Sequence, residues 1–408
     1  MNKKYREILE KCYAVIGLTF FTGAFDIGLT LSTGAIFPSF IRTGLRYLVW
    51  LAAYVFMGFN WKNTLRTARQ DILIWLLTAI ILLSFIWSDF PLKVLKNNRE
   101  VLQMSAFALY FATRFSLKEQ VKLIAWNFGI ALVLSILLGL VMPDLVIHQD
   151  DHPGAWRGIY DYKNTFGSMM IMSSLVFFLL PIEQSRHVIY KWIGVSLSLI
   201  MIVLSTSKTS LVIYFILVLI LLFYQNFRWQ GKVSVVILDF VILLVGCVGT
   251  LVIGNWVSLI TGLGKDPTLT GRTILWEGVF AKLQDRLLLG FGRGAFWFPE
   301  GKNGREVGQA LGHGFVAPHA HNGLIDLALD VGLIGFSIFL IVYFVAFFRA
   351  LKRAYATKSP ENLWPLAFLI FLAMNNMTES YLLRLSNIYW VLFITVVLSV
   401  GQNRSEEA

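Results

Sequence analysis

The sequence is poor in charged residues, cysteine and proline. Only 14% of its 408 residues are charged, whereas an ordinary soluble domain carries roughly 25%. Cys12 and Cys247 lie in or beside apolar stretches without metal-type neighbours, so neither a disulfide nor a cysteine metal site is indicated. The HExxH zinc motif is also lacking. These absences exclude a disulfide scaffold and the common cysteine and helical zinc sites.

Long apolar runs fill the chain instead. Apolar residues make up 57% of the sequence and recur in runs of about 17 to 25 residues, the length of a bilayer-spanning helix. The pattern predicts an all-α integral membrane protein with about twelve transmembrane helices. The predicted spans are residues 12–36, 43–60, 71–87, 100–115, 121–141, 165–181, 189–205, 209–225, 233–254, 322–348, 363–379 and 386–401.

Basic residues predict the orientation of these spans. The net charge is +11, but basic residues in a polytopic protein mainly set topology, so no nucleic-acid partner is expected. The loops "WKNTLRTARQ", "RFSLKEQVK", "NFRWQGK" and "FFRALKRAYATK" are basic, which predicts that they and both termini are cytoplasmic. The basic start precedes a run too long for a signal-peptide core, which indicates an uncleaved first span.

Polar residues without a topological role fall on the opposite, outer face. Three regions follow: residues 1–254 with nine spans, a large outer loop of short helices at 255–320, and three spans at 321–408. A single helix over 189–225 would be on the order of 55 Å long, against a hydrocarbon core of about 30 Å. The motif "STSKTS" therefore separates two spans, and Lys208 either snorkels there or is paired in a wet cavity.

Two motifs stand in the large outer loop. "GRTILWEGVFAKLQDR" places Leu275, Val279 and Leu283 on one helical face. Arg272 at the predicted helix start is opposed by the helix dipole; it is either the ligand of an anionic partner or a solvated arginine. "GFGRGAF" lacks the strand of a nucleotide-binding unit; it is uninformative, or it is a turn that brings Arg293 to a phosphate.

The run "PHAHNGLIDLALDVGLIG" (318–335) carries the main candidate. Asn322 is a predicted N-cap, which puts His321 at the outer mouth of a span. A helix amino terminus disfavours a cation and so favours neutral imidazole, the form that a general base needs. The alternative is a histidine that only caps a helix.

Other polar and small residues accompany this run. Asp326 and Asp330 would need a partner such as Lys208 or Arg384. The small residues Ala328, Gly332 and Gly335 are expected on one helical face, where they admit another helix. A zinc site is a further alternative, although i, i+2 spacing of histidines does not suit a helix face; its ligands would come from His148, His152, His313, His319 and His321.

The spacing His321-Asn322, nine residues, Gly332, two residues, Gly335 resembles the signature of the O-antigen ligase and polysaccharide polymerase superfamily of bacterial membrane glycosyltransferases. The resemblance extends to "GRTILW", "GFGRGAFW", "STSKTS" and "YDYKNTFG". Exopolysaccharide polymerase-like members look most similar. The resemblance implies a metal-independent, cofactor-free, inverting transfer in the bacterial inner membrane. A glycan on undecaprenyl diphosphate would pass to a hydroxyl of a glycan or lipid A–core acceptor at the periplasmic face.

The resemblance also assigns roles to residues. His321 would be the general base, and Arg272 and Lys208 would bind the diphosphate. Relatives that act as ligases carry arginine where this chain has Lys208, which weakens the ligase assignment more than the chemistry. Further diphosphate-binding candidates are Arg293, Arg157 and Lys163, and supporting candidates are Asn322, Asp326, His319, Gly332 and Gly335. A chain-length regulator is a further candidate partner.

Two other classes of function compete with transfer. A lipid-linked oligosaccharide flippase would have a similar number of spans, but transporters usually place polar groups at the midplane of two repeated halves. Here the polar groups gather on one face, and no repeat is found. A purely structural assembly protein would not need the concentration of His, Arg and Lys on that face. The sequence therefore favours the transferase.

Overall fold

The fold is built from helices throughout its described part. The computed structural model describes residues 3–24, 39–149, 152–226, 233–254, 267–309, 317–356, 359–384 and 387–402. Within these ranges the one pairing of extended residues is an isolated bridge between Ile147 and Trp156. The helices are α1 (Lys3–Phe21), α2 (Ser39–Phe59), α3 (Trp61–Ala68), α4 (Ile72–Leu83), α5 (Pro91–Arg114), α6 (Leu117–Val141), α7 (Pro143–Val146), α8 (Lys163–Phe178), α9 (Val188–Leu204), α10 (Lys208–Asn226), α11 (Val233–Gly254), α12 (Pro267–Leu283), α13 (Lys302–Gln309), α14 (Gly323–Ala356), α15 (Pro360–Asn376) and α16 (Ile388–Gly401).

The predicted apolar runs coincide with these helices. Each of the predicted spans overlaps one helix, and "STSKTS" separates α9 from α10 as expected. Three helical stretches of the described chain are long and apolar enough to cross a bilayer alone, namely α6, Ser185–Leu204 and α14. The helices α3 and α4 meet that test only together and are bent by 88°. The all-helical, membrane-type fold is confirmed, and the number of twelve spans stays a prediction.

The last two helices form the centre of the bundle. Almost every residue of α15 and α16 is buried, including the large side chains of Trp364 and Trp390. By contrast, α6 leaves Trp126 and Leu140 exposed at 67% and 77%, as expected for a helix that faces lipid. The described residues between α15 and α16, 377–384 and 387, are therefore flanked on both sides by buried helices.

The helix α14 is broken at Gly332. This residue has φ 64° and ψ −173°, a conformation open to glycine but strained for other residues. A Cβ at Gly332 would lie 2.3 Å from the backbone of Leu288. The expectation of one small-residue face for a neighbouring helix is therefore wrong at Gly332, because a loop backbone makes the close approach. Gly335 does lie near α4, since its Cβ would be 3.6 Å from Ile80.

The loop that enters this break restores the lost backbone hydrogen bonds. Broken helices leave unpaired carbonyls and amides, which are costly in an apolar environment. Here the segment 287–292 supplies partners on both sides of the break, so it is fixed to α14. The bonds run from Phe291 N to Leu329 O (2.7 Å), Gly292 N to Asp330 O (3.1 Å), Leu333 N to Leu287 O (2.8 Å) and Ile334 N to Leu288 O (3.2 Å).

Replacement of Gly332 tests this contact between segment 287–292 and α14. We expect Gly332→Ala to lower the melting temperature clearly, because the left-handed backbone alone costs about 1–3 kcal/mol and the methyl group also collides with Leu288. The measurement is thermal unfolding in detergent. The matched control is Gly129→Ala in α6, where the added Cβ meets Phe177 at an ordinary 3.6 Å. A similar melting temperature for both variants would contradict the account.

Candidate functional site

Segments that are far apart in sequence meet at one end of the bundle, which is called the His321 end below. They include the starts of α8 and α14, the helix α12 and the segment between α15 and α16. The joining hydrogen bonds are Asn164 Nδ2 to Glu379 Oε1 (2.8 Å), Asn322 N to Ser380 Oγ (3.1 Å), Gly323 N to Glu379 O (3.1 Å) and Trp276 Nε1 to Ala320 O (2.8 Å). Most candidate residues named from the sequence lie at or near this end.

His321 is held in a tight turn just before α14. The predicted cap is confirmed, because Asn322 Oδ1 accepts from Leu324 N at 3.0 Å and from Ile325 N at 3.3 Å. His321 itself has φ 51°, which is uncommon outside glycine and is often found at functional sites. Its backbone N–H donates to His319 Nδ1 at 3.2 Å. The imidazole is 34% exposed and remains open to a substrate.

Glu379 faces His321 and was missed from the sequence. Its Oε2 lies 3.9 Å from His321 Nδ1, too far for a hydrogen bond but close enough for an ionic contact. Its Oε1 accepts from Asn164 at 2.8 Å. Burial alone would raise the pKa of Glu379, but His321 and Arg272 outweigh it and hold that pKa below its usual value. Glu379 is the single acidic residue of "NNMTESYLLRLSN", which was a usable signal.

Fixed cations surround this pair. Arg272 interacts electrostatically with Glu379 and with His319. Burial lowers the pKa of Arg272, and Glu379 opposes that shift; a guanidinium stays charged in any case. Arg384 acts on His319 as well. The helix α12 begins at Pro267, so Arg272 lies beyond its first turn and the expected dipole conflict at a helix start does not arise.

Two lysines extend the positive region. Lys163 and Lys208, the first residues of α8 and α10, are close enough for their charges to interact. Lys163 directly precedes Asn164, which binds Glu379. Lys208 is exposed and free of an acidic hydrogen-bond partner among the described contacts. Like charges held near one another favour an anionic ligand between or beside them.

Arg293 and Arg157 are used differently. Arg293 is only 2% exposed, and its guanidinium donates to backbone carbonyls of Leu383, Arg384 and Asn97 at 2.6–3.2 Å. It therefore ties the "GFGRGAF" loop to the segment after α15. Arg157 Nε donates to Leu145 O at 3.3 Å inside the loop before α8. These contacts favour structural roles over phosphate binding for both arginines.

The two aspartates also hold loops. Asp326 Oδ1 accepts from Trp297 Nε1 at 2.8 Å and from Ala320 N at 3.1 Å, so it shapes the turn beside His321 without a hydrogen bond to the imidazole. Asp330 Oδ1 accepts from Gly294 N at 2.7 Å. The expected ion pairs with Lys208 or Arg384 are not among the described contacts of either aspartate. The carboxylate that lies beside His321 Nδ1 is that of Glu379.

The side chains at this end lie close enough together to bind a metal ion, but the positive charges around them disfavour one. Ligand atoms of His319, His321 and Glu379 lie within 4.8 Å of one another. However, His319 Nδ1 already accepts a backbone N–H, and Arg272 and Arg384 disfavour a further cation. His148 and His152 pack against Tyr162, with His152 Nε2 2.6 Å from its hydroxyl, and His313 lies outside the described residues. The absence of a metal stays a prediction.

The geometry thus combines a proton acceptor, an adjacent carboxylate and several fixed cations. The fold and this site together are those of a multi-pass membrane protein that can bind an anionic ligand at one end of its bundle.

A family model described as "O-Antigen ligase" matches residues 193–340. The exopolysaccharide production protein ExoQ of Rhizobium meliloti is 36% identical over 115 residues, which cover 26% of this chain and 25% of that relative. Both matches support an O-antigen ligase- and polymerase-like family, as the motifs indicate.

Titration of His319 gives a test of its buried position. Burial, followed by the charges of His321 and Arg384, lowers its pKa to about 3, against about 6.5 in an unfolded chain. Its neutral form therefore stabilises the fold fully above pH 6.5, and this contribution is lost as the pH falls toward 3, by up to about 1.4 kcal/mol per pH unit.

We expect the melting temperature to fall between pH 6.5 and pH 4.5, and to fall less steeply in His319→Gln. Thermal unfolding across this pH range measures both slopes. Equal slopes in the two proteins would contradict the burial of a neutral imidazole at position 319.

Proposed function

We propose that this protein transfers a glycan from undecaprenyl diphosphate to a sugar hydroxyl at the periplasmic face of the bacterial inner membrane, in surface polysaccharide biosynthesis. The observation that carries the proposal is the pair His321–Glu379, 3.9 Å apart, within reach of the charge of Arg272. A phosphate ester needs positive charge, and an acceptor hydroxyl needs a base. The two requirements meet at one place in the chain.

His321 would accept the proton of the acceptor. Its Nδ1 faces Glu379, so the tautomer with a proton on Nδ1 leaves the Nε2 lone pair free. The acceptor oxygen attacks the anomeric carbon while its proton moves to Nε2. The bond from that carbon to the diphosphate oxygen breaks, and the lipid diphosphate leaves with its electron pair. A base of this kind contributes typically 10²–10⁴-fold.

Arg272 and Lys208 would bind the diphosphate, with Lys163 beside them. A guanidinium can contact phosphate oxygens in a bidentate way, whereas a lysine acts as a point charge. Both neutralise the charge that develops on the leaving group. Asn322, Asp326, His319, Gly332 and Gly335 would support the site by fixing the turn and the broken helix around it.

The transfer is proposed to invert the anomeric centre. A retaining route would need a carboxylate that attacks the sugar, and Glu379 is largely buried and bonded to Asn164. A single displacement by the acceptor leads to inversion. The cations of the protein supply the charge that a metal would otherwise provide, so the proposed mechanism is independent of metal.

A polymerase role is favoured slightly over a ligase role. Lys208 stands where ligases of the resembled superfamily carry arginine, and the relative named above is described as an exopolysaccharide production protein. A deletion strain distinguishes the two roles on a glycan gel. Loss of a polymerase leaves single repeat units on the acceptor, whereas loss of a ligase leaves long chains on the carrier lipid.

The broken helix α14 does not by itself favour transport. Transporters use such breaks to present free backbone groups to ions. In this chain, segment 287–292 already bonds to the carbonyls and amides around Gly332. Reconstitution with lipid-linked donor in one leaflet separates the two activities: a transferase forms a new glycosidic bond, and a flippase moves the donor across the bilayer.

His321→Ala is expected to lower the rate of transfer by roughly 10²–10⁴-fold while the protein still folds, because the acceptor hydroxyl loses its base. Product formation in vitro with lipid-linked donor measures the effect. The matched control is His152→Ala, a histidine that contacts Tyr162 instead of Glu379; it should keep most of the activity. Near-normal product formation by His321→Ala would show that His321 is not the general base.

Arg272→Ala is expected to weaken donor binding, and Arg272→Lys to restore it only in part, because lysine loses the bidentate contact. The measurement is the dissociation constant for undecaprenyl diphosphate in nanodiscs. Arg305→Ala, at an exposed position of helix α13, is the matched control and should bind like the unaltered protein. An unchanged affinity of Arg272→Ala for undecaprenyl diphosphate would show that Arg272 does not bind the diphosphate.

A further inference from the structure

An apolar groove opens between α11, α14 and α15. Its volume is about 230 Å³, and its walls include Leu243 and Leu244 of α11, Leu340 of α14 and Ala373 of α15. Leu244 is 63% exposed, so the groove communicates with the surface that faces lipid. Among its lining side chains, Cys247, Tyr343 and Asn376 are the ones with polar atoms. The groove therefore suits a hydrocarbon chain.

Aromatic rings lie at one end of the groove. Phe240 of α11 packs against Phe344, Phe347 and Phe348 of α14, with ring centroids 5.7, 5.7 and 5.2 Å apart. These contacts join α11 to α14 toward the far end of the bundle.

The other end of the groove reaches the candidate site. Its lining includes Met377 and Leu324, which lie two residues before Glu379 and three residues after His321. Asn376 also lines it, and its Oδ1 accepts from Tyr381 N at 2.9 Å. The apolar groove therefore adjoins the segments that carry His321 and Glu379.

We propose that this groove holds the isoprene units of the lipid-linked donor that lie nearest its head group, with the diphosphate at Arg272 and the anomeric carbon beside His321. The inference rests on the function proposed above and adds the place where the lipid binds. The occupant is identified by the position of the groove: a hydrocarbon chain bound beside the segments of His321 and Glu379 would place its polar head near the cations and the imidazole. A phospholipid acyl chain has no reacting carbon to deliver there.

The groove would act mainly through orientation. Lipid tails are as apolar as leucine side chains, so moving the polyprenyl chain from the bilayer into the groove gains little hydrophobic free energy. A chain bound in the groove would keep the head group aligned with His321. This alignment matters because misplacement of a substrate by about 1 Å can lower the rate on the order of 10²-fold. Blocking the groove should therefore lower the rate of transfer strongly, while the affinity of the protein for the diphosphate changes less.

Photo-cross-linking tests occupancy in the full-length protein in nanodiscs. The probe is radiolabelled undecaprenyl diphosphate, and the reporter is Leu340→benzoylphenylalanine in the groove. The matched control is Leu140→benzoylphenylalanine, on the face of α6 that is 77% exposed. We expect label at position 340 and only background label at position 140, and we expect the label at position 340 to be removed by excess unlabelled undecaprenyl diphosphate but not by excess phospholipid. Equal labelling at both positions, or competition by phospholipid, would overturn the proposal.

A blocking substitution gives an independent measurement. Ala373→Trp should fill the groove and lower kcat for transfer by roughly 10²-fold, while Leu140→Trp, with the same indole on the open lipid face, should keep the activity. Thermal unfolding establishes that both variants are folded. Activity of folded Ala373→Trp near that of Leu140→Trp would contradict the groove assignment, and the cross-link remains decisive if Ala373→Trp does not fold.

Arg272→Ala separates failure of this inference from failure of the proposed function. Loss of the position-340 cross-link in Arg272→Ala supports both, because the diphosphate anchors the chain. If Arg272→Ala loses diphosphate affinity while position 340 never cross-links, the function stands and the groove assignment is wrong. If Arg272→Ala changes neither affinity nor cross-link, diphosphate recognition at this site is wrong, and the inference fails with it.

Discussion

The break in α14 is the constraint on which the arrangement at the His321 end depends. A helix that opens at Gly332 must find new partners for its carbonyls and amides, and segment 287–292 provides them. Asp330 adds a bond to Gly294, and Arg293 then ties the same loop to Leu383. The large loop is thus joined to α14 and to the segment after α15, which are the two parts of the chain that present His321 and Glu379.

This arrangement explains how a membrane protein can keep a charged site rigid at the end of its bundle. Buried charges are stable only when they are paired or hydrogen-bonded. Glu379 meets Asn164 on one side and His321 on the other, and the charge of Arg272 is balanced in part by Glu379. The site nevertheless retains an excess of cations, with Lys163 and Lys208 nearby. An incoming diphosphate would complete the balance of charge, and the apolar groove would align the lipid that carries it.

Local patterns predicted the helical segments, the cap at Asn322 and the inward face of α12, on which Leu275, Val279 and Leu283 are buried. Each depends on residues within a few turns of one another. The contact of His321 with Glu379 depends on the packing of α14 against α15, and the turn at Gly332 depends on a loop that precedes it by some forty residues. Such long-range contacts leave no periodic signal, so Gly332 was assigned to a helical face and Glu379 was missed.

Glu379 is proposed to act through His321. A double-mutant cycle on the rate of transfer tests it most directly, because residues that work as a unit are strongly non-additive. We expect Glu379→Gln to slow transfer in the otherwise unaltered protein but to cause no further loss of rate in the His321→Ala background. Full additivity of the two substitutions, with both variants folded and able to bind undecaprenyl diphosphate, would contradict it.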